Sequence, residues 1–258
     1  MRLIHTASVL LASGQPSLIA GSLRARWIPA ALLTAVFAIS AYWLRGVTRN
    51  GAIAGAMIAF TLYLGAGSGG FLGLVSVFVL AFVSSRLGYA RKQQLGIAES
   101  KQGRSAAQVW ANLGAAAACA VLALAFPLQP WLIAMVSALA EAAADTASSE
   151  CGEALSEQAY LITDFRAVPV GTNGAVSAQG TLSALLAALV VAGICAAAAT
   201  IPFRAVIVVA GAAMIGTTAD SYLGATLERR SVIGNNAVNF AGTTLAAVVG
   251  FALARLFH

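Results

Sequence analysis

The fold is decided by residues 107–149, AQVWANLGAAAACAVLALAFPLQPWLIAMVSALAEAAADTASS. A mostly apolar run from Ala107 to Phe126 is followed by the turn Pro127-Leu128-Gln129-Pro130. A second run then goes from Trp131 to about Ser149, and its latter half becomes polar. Each run is close to the ~20 residues that a helix needs to cross a bilayer. Only helices and closed barrels satisfy their backbones in lipid. A barrel strand would alternate polar and apolar residues, whereas these runs are continuous and rich in Ala and Leu, which favours helices.

The same pattern extends outward in both directions. Trp27–Leu44, Ala52–Leu64 and Phe71–Leu87 read as spans, and residues 65–70, GAGSGG, read as a tight structural hairpin between the last two. Val176–Thr200, Ala205–Leu223 and Val238–Phe257 follow. Residues 88–106, 150–175 and 226–236 read as polar loops. Residues 3–20 are apolar but carry His5, Gln15 and Pro16, so 1–26 reads as a membrane-associated segment and 27–258 as one polytopic domain. The expectation is an all-α transmembrane bundle of about seven to eight spans. Composition agrees: 60% of the 258 residues are hydrophobic and only 9% charged, against about 25% charged in a soluble domain. That excludes an ordinary soluble domain, a disordered chain and a disulfide scaffold. Cys119, Cys151 and Cys195 have no paired spacing and suggest neither a disulfide nor a metal site.

The net charge of +6 does not point to nucleic acid, because the basic residues sit singly at the ends of apolar runs. Ten of the fifteen Lys and Arg residues share one side: Arg45, Arg49, Arg86, Arg91, Lys92, Lys101, Arg104, Arg166, Arg229 and Arg230. The positive-inside rule makes that side cytoplasmic, and a bacterial inner membrane is the expected location. The nine carboxylates fall on the same side or at its membrane edge. An ionised carboxylate within a span costs at least ~2.5–3.5 kcal/mol, so this one-sidedness marks a functional face.

Glu141, Asp145 and Ser149 recur at four-residue spacing and form one helical stripe, beside a second containing Thr146 and Glu150. Converging carboxylates require protons or a cation. Magnesium fits, because it takes one or two carboxylates and fills its shell with water and phosphate oxygens. Asp145, Glu150 and Asp220 are the expected metal-binding and catalytic acids. Residues 168–180, VPVGTNGAVSAQG, bring Gly171, Thr172, Asn173, Gly174 and Ser177 to the start of a span, with Arg166 just upstream. Glycines admit an anion close to backbone N–H groups, and a helix N-terminus supplies positive potential. This stretch is not a Walker A loop, since no GK[ST] is present. Arg104, Gln108 and Asn112 also share four-residue spacing, and Asn235, Asn236 and Asn239 cluster before the last span. Amides at such places bind substrate or join helices, and Asn at a helix start is a routine cap.

Five ordered motifs carry a family resemblance: GRSAAQVWAN at 103–112, ADTASSECG at 144–152, VPVGTNGAVSAQGT at 168–181, ADSYLGATLE at 219–228 and NNAVNF at 235–240. Over residues 27–257 the chain resembles the integral membrane family that includes transmembrane protein nineteen and the plant and cyanobacterial phytyl-phosphate kinase of tocopherol synthesis. Ala147 stands where that pattern has Trp, and Glu228 where it has Gln. The resemblance implies a kinase that converts an isoprenoid monophosphate to its diphosphate, using CTP and magnesium, within surrounding membrane lipid and with a possible homo-oligomer. On this expectation Asp145, Glu150 and Asp220 hold magnesium. Residues 171–177 with Arg104 and Arg166 hold phosphate, and Gln108, Asn112, Asn236 and Asn239 orient substrate. Two alternatives remain at this level. One is a transporter or flippase coupled through intramembrane acids, and the other is a cytidylyltransferase that forms a CDP-lipid.

Overall fold

The computed structural model describes residues 16–98 and 102–256. The leading residues 1–15 of the expected N-terminal segment lie outside the described residues, as do Glu99 and Lys101. Among the described residues, eight α-helices and three short strands follow in order. The helices are α1 (Pro16–Trp43), α2 (Arg49–Arg86), α3 (Tyr89–Leu95), α4 (Ala106–Ala125), α5 (Gln129–Leu155), α6 (Ala178–Ala197), α7 (Ala205–Leu223) and α8 (Asn235–Leu256). The strands are β1 (Ala159–Leu161), β2 (Ala167–Val168) and β3 (Ala175–Val176). Among the described residues, six helices are long and apolar enough to cross a membrane. The chain is an all-α polytopic membrane protein, as expected.

The long helix α2 is two antiparallel legs. Its 38 residues would reach about 57 Å if straight, at ~1.5 Å per residue. Instead Gly51 and Ser85 line one cavity, and the Arg86 guanidinium donates to the Leu44 carbonyl at 3.3 Å. The reversal sits at Gly67, with φ 66° and ψ −155°, a region open to glycine and closed to most side chains. A Cβ on Gly65 would lie 2.5 Å from the Ala120 carbonyl oxygen, so the turn packs tightly on α4. The hairpin expected at 65–70 is present, and its role is structural.

Helix α5 is the centre of the bundle, touching helices α2, α4, α6, α7 and α8. Every residue from Ile133 to Ala144 is buried. A helix buried all round carries no lipid-facing stripe, and its alanines let neighbouring backbones approach closely. Far from the polar end, the Trp131 and Phe251 rings meet at 4.2 Å between centroids. At the polar end, a Cβ on Gly88 would touch Ala154. Glu141 lies about halfway along α5 and is 1% exposed, deeper than the membrane-edge position expected from the sequence.

Helix α1 extends the expected Trp27–Leu44 span back to Pro16, across the expected boundary at residue 26, and other boundaries differ as well. Helix α5 continues past Ser149 to Leu155, which makes Glu150 helical. The polar stretch 88–106 contains α3, and α7 runs on as a π turn, Gly224–Glu228, into the expected loop. Residues 159–176 form a small antiparallel sheet in the order β2-β1-β3, pairing Tyr160 with both Ala167 and Val176. Polar composition identified these stretches as non-spanning, but local hydrogen bonding still ordered them.

Tight packing surrounds Glu141. A Cβ on Gly216 of α7 would lie 2.7 Å from both Glu141 Cγ and the Gly242 carbonyl oxygen of α8. Gly216→Val should therefore cost about 1–3 kcal/mol by overpacking and lower the melting temperature in detergent. Gly211→Val should leave it unchanged, since nothing lies within 4 Å of that added Cβ.

Candidate functional site

The polar ends of α4, α5, α7 and α8 and the turn between β2 and α6 enclose a cavity of 260 Å³. From α5, Asp145 and Glu150 line it; from α7, Asp220 lines it. Gly171, Thr172, Asn173, Gly174 and Ser177 form one wall. Arg104, Gln108 and Asn112 form another, with Asn239 of α8 beside them. Twelve of the fourteen site residues expected from the sequence thus share one cavity. Arg166 and Asn236 do not: both are exposed and turned away from it. Arg166 lies in the bend between β1 and β2, where its backbone N–H donates to Asp164 Oδ1 at 3.1 Å. Asn236 is in the first turn of α8, one residue past the position that faces the cavity.

Asp145 and Asp220 meet carboxyl to carboxyl across the α5–α7 contact. Ionised carboxylates cannot donate to each other, and buried Asp220 Oδ2 finds no partner among the described residues. Glu141, one helical turn deeper, likewise keeps an unpartnered Oε1 and faces both aspartates electrostatically. Glu228 in the π turn adds a further negative charge near Asp145 and bonds to Asn235. Arg104 supplies the opposing charge, acting on Asp145 and donating to Thr146 Oγ1 at 3.2 Å. Arg104 is placed by backbone pairing, its N–H donating to the Gly46 carbonyl and its carbonyl accepting from Thr48, both at 3.0 Å. Gly103 makes that pairing possible: at φ 79° its Cβ would lie 2.6 Å from the Val47 nitrogen.

Several expected ligands have structural partners. Glu150 is ion-paired with Lys92 of α3, whose ammonium is wholly buried and also donates to the Ser85 carbonyl at 3.0 Å. The expected third metal-binding carboxylate is therefore committed to a protein cation, which leaves Asp145 and Asp220 as the expected metal-binding acids without that partner, in a cavity that Glu153 and Glu228 also line. Ser177 caps α6 by accepting from the Gly180 N–H at 3.1 Å. Gln108 completes a capping box with Ser105, its side-chain oxygen accepting the Ser105 N–H at 2.8 Å. Arg104 precedes that helix, so the expected Arg104–Gln108–Asn112 stripe begins in the loop. Asn112 and Asn239 join α4 to α8, the Asn239 amide donating to Asn112 Oδ1 at 3.2 Å, while Asn239 Oδ1 remains without a partner among the described residues.

The glycine-rich wall is ordered by its turns. Gly171 and Gly174 adopt φ 86° and 75°, and any Cβ on Gly174 would strike Ala225 of the π turn. The Thr172 hydroxyl donates to the Pro169 carbonyl at 2.7 Å. The N-terminus of α6 opens at the same wall, and its dipole favours an anion there. Sequence reasoning missed Lys92, whose partner is 58 positions away, and Ser148, which lines the cavity from α5. No signal in the sequence tied Lys92 to Glu150 across that separation.

The fold and cavity define a polytopic membrane protein with a polar, acid-lined site at one end of its helices. The chain belongs to the family described as integral membrane protein DUF92, which it matches over residues 32–247. It is 35% identical over 190 residues to an uncharacterized membrane protein of Synechocystis, covering 71% of this chain and 73% of that one. It is 31% identical over 219 residues to an uncharacterized membrane protein of Methanocaldococcus jannaschii, covering 85% and 90%. It is 30% identical over 215 residues to Protein VTE6, chloroplastic, of Arabidopsis thaliana, covering 79% of this chain and 64% of the plant protein. No solved structure matches.

The Lys92–Glu150 pair offers a direct stability test. Lys92→Met should strand a buried carboxylate and cost about 3–5 kcal/mol, lowering the melting temperature and exposing residues 88–104 to protease. Adding Glu150→Gln should restore part of that loss.

Proposed function

We propose that this protein is a membrane-embedded kinase that transfers the γ-phosphoryl group of a nucleoside triphosphate, CTP in the first instance, to an isoprenoid monophosphate. The observation that carries this reading is the facing pair Asp145 and Asp220, with an unpartnered Asp220 Oδ2, in the same cavity as Arg104. A cavity lined by Asp145, Asp220 and Glu228 repels a triphosphate unless a cation intervenes. The oxygen-only donor set suits magnesium, which needs one or two protein carboxylates and takes the rest from water and phosphate. Asp145 and Asp220 would hold it. When bound, magnesium neutralises phosphate charge and aligns the triphosphate.

The chain's own residues then have positioning roles. Arg104 binds phosphate oxygens as charge builds on the transferring group. The backbone of residues 171–174 and the N-terminus of α6 cradle the nucleotide phosphates. Asn112 and Asn239 orient the acceptor. An acceptor phosphate oxygen attacks the γ-phosphorus, the bond to the β–γ bridging oxygen breaks, and the nucleoside diphosphate departs with that electron pair. A phosphate acceptor is already anionic at neutral pH, so no general base is needed. Similarity to the VTE6 protein and the five motifs support the kinase assignment. The Lys and Arg distribution supports a cytoplasmic site, in a bacterial inner membrane.

Purified protein in nanodiscs, given CTP, magnesium and phytyl or geranylgeranyl monophosphate, should produce the diphosphate and CDP. Asp145→Asn and Asp220→Asn should each reduce turnover by about 10²–10³-fold with melting temperature retained. Release of pyrophosphate would instead indicate cytidylyl transfer, and absence of any nucleotide turnover would refute the kinase reading.

A further inference from the structure

A second cavity, of 390 Å³, lies between α1, both legs of α2 and α4. Its deeper walls are apolar, with Phe37, Leu74, Val77 and Phe78. Its mouth is basic, lined by Arg45, Arg86 and Arg104. The Arg86 guanidinium is fixed there, 3.4 Å above the Phe82 ring centroid. Arg104, Gln108 and Asn112 line this cavity and the acid-lined one alike, so the two meet at those three residues. Along the second leg of α2 the walls run from Ser85 to Leu74, a depth of about 16 Å at ~1.5 Å per residue.

A ligand that fits both ends must be anionic at one and apolar at the other. The cavity volume lies toward the small end of the ~300–1,000 Å³ typical of ligand sites. Small residues such as Ala41, Ala52 and Gly55 line its flanks and leave the space between the helices open. We propose that this groove holds the single hydrocarbon chain of the acceptor, an isoprenoid phosphate, with its head group delivered past Arg104 to Asp145 and Asp220, and that Gly55 sets how large a chain is admitted. The proposal rests on the kinase reading for the identity of the head group. Gly55 lies on the groove wall, and an added Cβ would meet nothing within 4 Å. A larger residue there enters open groove space and leaves the packed core untouched.

The test uses the full chain in nanodiscs, a diazirine-bearing geranylgeranyl monophosphate as photo-probe, and the variant Gly55→Phe. Labelling should map to peptides containing residues 51–55 and 77–82 and be competed by unlabelled geranylgeranyl monophosphate. Gly55→Phe should weaken binding of the twenty-carbon probe at least about tenfold, change affinity for a five-carbon prenyl phosphate less than about threefold, and keep the wild-type melting temperature. Groove labelling without phosphoryl transfer would retain the groove assignment and remove the kinase reading. Labelling elsewhere, competition by a two-chain phospholipid alone, or equal effects on both chain lengths would overturn the groove assignment.

Discussion

The structure depends on the cost of placing carboxylates inside an apolar helix bundle. Helix α5 runs through the centre with Glu141, Asp145 and Glu150 on its buried length, and Asp220 meets it from α7. Each ionised acid at membrane depth costs at least ~2.5–3.5 kcal/mol. Glu150 is offset by the buried Lys92, and Asp145 by Arg104. Asp220 and Glu141 keep oxygens without partners among the described residues. Of these two, Asp220 lines the cavity, where an added cation would stabilise an ionised carboxylate most.

Small residues make that concentration possible. Gly216 and Gly242 bring α7 and α8 against Glu141, with no room for a Cβ at either position without displacement. Alanines along α5 bring the other helices equally close. Without a hydrophobic drive between helices in lipid, such close approach and polar contacts provide much of the cohesion. The same economy of side-chain volume leaves space elsewhere. The groove beside α1 opens where Gly51, Ala52 and Gly55 face Ala81 and Phe82 across the α2 hairpin. A polar site and an apolar groove therefore share one rim, the geometry that an amphiphilic substrate requires.

Most of the helical layout was legible because hydrocarbon thickness sets span length and because GAGSGG can hardly be anything but a turn. Asp145, Asp220 and residues 171–174 were legible because isolated polar groups stand out against an apolar background. What the sequence did not reveal shares one cause, which is a partner distant in sequence or local in the backbone. Glu150 resembled a metal ligand until Lys92 closed on it. Gln108 and Ser177 line the cavity as expected, and their oxygens also accept backbone N–H groups at helix starts. Arg166 lies just upstream of the glycine-rich motif but sits on an exposed bend.

The sequence by itself determined that the chain is a membrane helix bundle, which side holds its charges and which acids are exceptional, because these follow from transfer energies and helix periodicity. Only the tertiary structure decided how those acids are divided. Pairing of Lys92 with Glu150 and of Asp145 with Asp220 depends on which helix ends meet, and that is set by close packing around small residues in three dimensions.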